Sequence, residues 1–134
     1  MASYDPLYVQ FLHYFNEEQD YYECHEVMEE LWLSEGRHRL YQGLLQAAVA
    51  LYHFTNDNIS GAIKLFQGGI EKMELYPDHD LGIRLDKFIA ECRDYLNKLN
   101  RYDEEPFSFY PLYIEITDPE LKRQVDALKE NKGK

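Results

Sequence analysis

The chain is poor in the residues that staple, break or anchor a fold. It has only two cysteines, Cys24 and Cys92. Their spacing matches no zinc pattern, and a disulfide scaffold would need a denser set. Both fall on apolar stripes at helical spacing, so they read as buried, reduced thiols, which suits a cytoplasmic protein. No apolar run approaches the length that spans a bilayer, which argues against a membrane protein. Met1-Ala2-Ser3-Tyr4-Asp5-Pro6 lacks a basic stretch followed by an apolar core, so no secretory signal is expected. Nor is there a Gly-x-Ser-x-Gly elbow to present a nucleophile. Gly68-Gly69 follows no strand, so it is no phosphate loop.

Basic residues are also scarce, with 14 Lys and Arg against 25 Asp and Glu and a net charge of -11. None occurs before Arg37, while Glu17, Glu18, Asp20, Glu23, Glu26, Glu29 and Glu30 all do. Nucleic-acid binding relies on cations that displace counterions from phosphates, so nucleic acid is excluded as a partner. Such an acidic stretch reads first as a solvated face, and otherwise as a place for a cation or a basic partner. Arg37 and Arg39 then read as surface residues.

Rings are plentiful. Twelve tyrosines and seven phenylalanines in 134 residues exclude a disordered chain. That length suits one domain with a core of its own, here taken as residues 1–134.

The apolar pattern is helical nearly throughout. Asp5 and Pro6 start a first helix that carries Leu7, Tyr8, Phe11, Leu12 and Phe15, with Asn16 as its end. Asp20 caps a second helix, with Glu23 placed for a capping box and Tyr21, Cys24, Met28 and Leu31 as the stripe. Ser34-Glu35-Gly36 breaks the chain. A third helix is expected from about Arg37 to Thr55, burying Leu44, Ala48, Leu51 and Tyr52. Its small residues Gly43, Ala47 and Ala50 predict a tight helix crossing. A fourth runs from Ile59 to about Leu75, capped by Asn58 or Ser60. Gly68-Gly69 within it would cost about 1 kcal/mol each relative to alanine. That calls for a close neighbour or a kink. Asp80 is expected to cap a fifth helix bearing Leu81, Leu85, Phe88, Ile89, Cys92, Tyr95, Leu96 and Leu99. Residues 101–117 hold Pro106 and Pro111 and read as an extended aromatic segment. Thr117-Asp118-Pro119-Glu120 starts a last helix with Leu121, Val125 and Leu128, whose Lys-rich end is expected to fray. The fold class is therefore all-α: a single bundle of five to six helices. Helices two and three form its central antiparallel hairpin, and residues 101–134 pack on the rest.

The sharpest polar signal is His25-Glu26-Val27-Met28-Glu29, followed by Trp32. On a helix, residues four apart share a face. The third helix carries Gln42, Gln46 and His53. An antiparallel hairpin would bring His25 near His53 and Trp32 near Gln42. Three readings then stand side by side. His25, Glu29 and His53 bind a divalent metal, with Glu26 as base on its water; the pattern is HExxH with Glu29 in place of the second His. Alternatively, the same groups with Trp32 line a metal-free pocket for a small molecule. In the third, His25, Glu29, Gln42, Gln46 and His53 satisfy one another in a buried polar seam.

Phe15-Asn16, Asp20-Tyr21-Tyr22-Glu23, His25-Glu26, Glu29 and Trp32 resemble the opening motif of the family called domain of unknown function 309. So do Gln42-Gly43-Leu44-Leu45-Gln46, Ala48, Ala50, His53, Asn58 and Gly61-Ala62. The resemblance covers about residues 8–75. Asp57 departs from it, standing where a glycine is expected. It implies an all-helical bundle of bacterial or archaeal cytoplasm and a common cluster of His25, Glu26, Glu29, Trp32, Gln42, Gln46 and His53. It implies no reaction.

The function expected is a binding or structural role. The alternatives are a hydrolase-like enzyme using His25, Glu26, Glu29 and His53, or a tetratricopeptide-like module in which Ala62, Phe66 and Pro77 mark one helical pair. The partner would be a small molecule or a protein. It would be a second copy of the chain if residues 107–114 cover a neighbour's core.

Overall fold

Asp5 and Pro6 open the first helix in the computed structural model, which describes residues 4–34 and 38–132. Helix α1 (Pro6–His13) has the Asp5 carboxylate accepting from the Leu7 amide at 2.9 Å. This supplies a partner to one of the amides that a helix start leaves open. Asn16 does not end the helix as expected. The chain continues through a wide π turn, Tyr14–Glu18, and stops at Gln19, whose φ of 52° is left-handed. Asn16 has another task. Its side-chain amide donates to the Ile114 carbonyl at 2.9 Å and accepts from the Ile114 amide at 2.9 Å. One side chain thus acts as a strand partner for a residue 98 positions away.

Helix α2 (Tyr21–Ser34) starts where expected, with Asp20 accepting from the Glu23 amide at 3.1 Å. The expected break at Glu35-Gly36, and Arg37 with it, lie outside the described residues. Helix α3 (Arg39–Thr55) is capped by His38, whose ring nitrogen accepts from the Leu40 amide at 3.2 Å. The Tyr22 and Tyr52 rings lie 6.2 Å apart. The start of α2 therefore sits beside the end of α3, and the hairpin is antiparallel as expected.

Helix α4 (Ile59–Met73) is capped by Asn58, which accepts from the Gly61 amide at 3.0 Å. Asp57 precedes it at φ 60°. Glycine takes that conformation most cheaply, and aspartate is among the few others that tolerate it. The α3–α4 crossing settles the question of Gly68-Gly69. A Cβ on Gly69 would stand 2.9 Å from the Gly43 carbonyl oxygen, and one on Gly43 would stand 3.1 Å from that of Gly69. The two backbones touch, so the glycines are compensated by a close neighbour.

Helix α5 (Leu85–Asn100) begins later than expected. Asp80 does not cap it but opens a short 3-10 turn, Asp80–Gly82, in which Leu81 has φ 58° and Gly82 φ 72°. Backbone groups on both sides of the turn are engaged elsewhere. The Leu81 carbonyl accepts from the Tyr8 hydroxyl at 2.9 Å, and the Arg84 amide donates to the Glu115 carbonyl at 2.8 Å. Ile83 and Ile116 form an isolated antiparallel bridge. Among the described residues the extended segment therefore has one point of sheet-like pairing and no sheet. It lies on its own bundle, with Leu112 and Ile114 buried and Phe107, Phe109 and Tyr110 partly so. Helix α6 (Pro119–Lys132) starts as expected, with Asp118 accepting from the Glu120 amide at 2.9 Å.

A single apolar core draws residues from all six helices and the extended segment. Each fully buried Leu or Phe contributes about 1.5–3 kcal/mol relative to exposure. This is a bundle around one centre, and it gives the repeat-module reading no support, since stacked repeats bury their surfaces pair by pair. Both cysteines are buried and unpaired, as expected, and burial pushes both thiols up. Tyr52 departs from the expected buried face: it is 38% exposed. No helix among the described residues is long and apolar enough to cross a membrane.

Candidate functional site

The residues expected to converge between α2 and α3 divide into three places. His25 is occupied within its own helix. Its Nε2 lies 3.0 Å from a Glu29 carboxylate oxygen, and its Nδ1 lies 3.4 Å from one of Glu26. The two spacings, one and four residues, let one imidazole reach both carboxylates without a second helix. Glu26 and Glu29 are 52% and 51% exposed, so they face water and not a seam.

His53 engages the turn after its helix. Its Nδ1 accepts from the Asn58 side-chain amide at 3.3 Å, while the Asn58 carbonyl oxygen serves as the cap of α4. Asn58 thus ties the last turn of α3 to the first of α4.

Gln46 faces α4 and not α2. Its side-chain carbonyl accepts from the Lys72 ammonium at 3.0 Å and lies against Gly68. The missing side chain at Gly68 leaves room for that amide, since a Cβ there would stand 3.1 Å from Gln46 Oε1. Trp32 and Gln42 are half-buried. The hydrogen bonds and ion pairs thus give His25, Gln46 and His53 different neighbours. The metal set meets a further obstacle. Among the described residues no group of three or more His, Cys, Asp or Glu side chains is arranged to hold a metal ion.

A stripe on α2 at spacings of four, three and four carries Tyr22, Glu26, Glu29 and Leu33, all half-exposed. Tyr22 is 54% exposed and meets Tyr52 of α3 at its edge. This face combines carboxylates with large apolar groups, and among the described residues neither Glu26 nor Glu29 bonds to another element of the bundle.

His13, which sequence left without a role, is buried and bonded to Glu18 across the π turn at 2.5 Å. The pair is five residues apart. Reasoning from α-helical spacings looks three and four residues on, so the pair was invisible without knowledge of the π turn.

Similarity to known proteins concentrates on the same part of the chain. Residues 8–65 match the model of the family described as domain of unknown function, DUF309. The resemblance read from the motifs is thereby borne out for α1, α2, α3 and the start of α4. An uncharacterised protein of Bacillus subtilis, YpuF, is 38% identical over 74 residues. The match takes in 53% of this chain and 42% of that protein. An uncharacterised protein of Aquifex aeolicus is 32% identical over 83 residues, or 60% of this chain and 24% of the other. The chain therefore spans less than half the length of these curated relatives. No solved structure matches it significantly.

Proposed function

We propose that this protein is a binding protein whose working surface is the outer face of α2 with the end of α3, and whose partner is a basic amphipathic segment of another protein. One observation carries the reading. Among the described residues the Glu26 and Glu29 carboxylates bond to His25 of their own helix alone, and they stand half-exposed on the stripe that carries Tyr22 and Leu33, with Tyr52 against Tyr22. Large exposed apolar groups bounded by charge of one sign are features of a docking surface. The sign of the charge selects the partner, because complementary potentials raise the encounter rate and suppress anionic competitors. The chain's net charge of -11 acts in the same direction.

The test is a titration of isotope-labelled protein with a synthetic amphipathic peptide of leucine and lysine, followed by amide shifts. The expected result is a set of changes along Tyr22–Leu33 and at Tyr52 that weakens with added salt and is largely lost in the Glu26→Gln, Glu29→Gln double variant. Changes confined to other surfaces, or none, would overturn the reading.

A further inference from the structure

Where the π turn meets α2, the surface opens into a groove of about 410 Å³. Its walls include the Glu18 and Asp20 carboxylates and the rings of Tyr21, Tyr22, Tyr52 and Phe109. They come from four parts of the chain: the π turn, the start of α2, the end of α3 and the extended segment. No lysine or arginine is among the described residues that line it.

We propose that this groove is a binding site for an organic cation, the ammonium or guanidinium head of an alkylamine or of a lysine or arginine side chain. Three features point the same way. Aromatic faces carry negative charge density and attract cations within about 6 Å, more so where water is partly excluded. The Tyr22–Tyr52 pair, 6.2 Å apart and inclined at 50°, offers two such surfaces at the mouth. Two carboxylates supply full charge: Asp20 gives one oxygen to the Glu23 amide, and Glu18 holds His13 through Oε2. Two helical segments also end here, the π turn at Glu18 and α3 at Thr55. Helix C-termini present carbonyl oxygens and favour cations. The remaining helix end, the N-terminus of α2, would repel a cation, but Asp20 caps it.

Tyr21 adds an independent sign. It is 5% exposed, lines the groove, and its buried hydroxyl makes no hydrogen bond among the described residues. A buried hydroxyl without a partner is uncommon, and a small local opening of the groove floor would let a ligand N–H satisfy it. Burial also pushes this phenol well up, so it stays neutral and able to accept such a bond.

The site rests on the binding-face reading only for the source of the cation, since Tyr22 and Tyr52 belong to both surfaces. The experiment separates the two. The intact protein is titrated with n-butylammonium and, as control, with 1-butanol, and amide shifts are read by residue. Millimolar binding of n-butylammonium is expected at Asp20–Tyr22, Tyr52 and Phe109, with 1-butanol at least about tenfold weaker, since a lone ammonium in an open site gains little. Asp20→Asn keeps a good cap while removing the charge. Together with Glu18→Gln it should weaken n-butylammonium about tenfold or more, and Tyr52→Leu should weaken it with the fold intact. Equal binding of the alcohol, or no change at these residues, overturns the site. A second arm compares the amphipathic peptide with a version whose lysines are acetylated. Loss of shifts at the groove on acetylation makes a side chain the source, and retention of n-butylammonium binding with no peptide effect makes a free amine the source. If the peptide perturbs Glu26 and Glu29 while n-butylammonium leaves the groove unmoved, the cation site fails and the docking face stands.

Discussion

Helix α3 meets its two neighbours in opposite ways. Against α4 it presents Gly43, Gln46 and Ala47, and the backbones come close enough that a single added carbon would collide with a carbonyl. Against the start of α2 its last turn presents Tyr52, partly exposed beside Tyr22. The first contact is closed and specified by missing side chains. The second ends in an outward face of rings and carboxylates. The outward end of that second contact is where the proposed docking face lies.

Substitutions on each side of α3 test that contrast. The largest effect is expected from Gly69→Val, which forces α3 and α4 apart and should cost about 3 kcal/mol in urea unfolding. Gly69→Ala is the more exacting version. Alanine is a better helix former by about 1 kcal/mol, yet its Cβ meets the Gly43 carbonyl oxygen at 2.9 Å. Backbone cannot swing aside, so a net loss of about 1–2 kcal/mol is expected; a gain would show the crossing to be looser than described. Next comes Gln46→Ala, which removes the Lys72 contact across the same seam and should cost about 1 kcal/mol. On the open side, Glu26→Gln with Glu29→Gln should change stability by no more than about 0.5 kcal/mol while reducing peptide binding.

The smallest effect is a pH response arising in neither place. The Arg84 guanidinium beside Asp86 holds its carboxyl down at about 2, and the hydrogen bond from Arg123 does the same for Glu120. A carboxyl depressed on folding stabilises the native state above its unfolded value of about 4 and loses that contribution as pH falls through the folded value. Melting temperature should therefore decline between about pH 4 and pH 2, and Asp86→Asn should flatten part of that decline.

The sequence made the helices legible because their caps are chemical: Asp5, Asp20, Asn58 and Asp118 each accept from a helix-start amide as their positions imply. The tight crossing was legible from Gly43 and Ala47, since small side chains have few other uses inside a helix. Boundaries were lost where tertiary bonds overrode local preference. Asn16 looks like a helix end but is drawn to Ile114, and Asp80 looks like a helix start but serves a turn drawn to Tyr8 and the extended segment. The candidate site was half legible. Spacing placed His25, Glu26 and Glu29 together, and they are. Spacing could not say that Gln46 turns towards α4 or that His53 serves the next cap, because the choice depends on a rotation of α3 that Gly43 and Gly69 fix. The groove by Tyr21 was out of reach, since it needs a π turn and a ring from residue 109.

Helices α1 and α6 run side by side in the same direction: Tyr4 bonds Asp118 at one end, and Lys129 reaches Glu17 at the other. Two parallel neighbours cannot be joined by a tight connection, so the intervening chain has to travel the whole bundle before the pair can zip together. Closing a loop of that size is the most entropically demanding event available to this polypeptide, and it gains nothing until the other helices have provided a floor. Assembly should therefore finish with α6, and amide hydrogens along Leu121–Leu128 should exchange through openings that leave the α3–α4 pair protected.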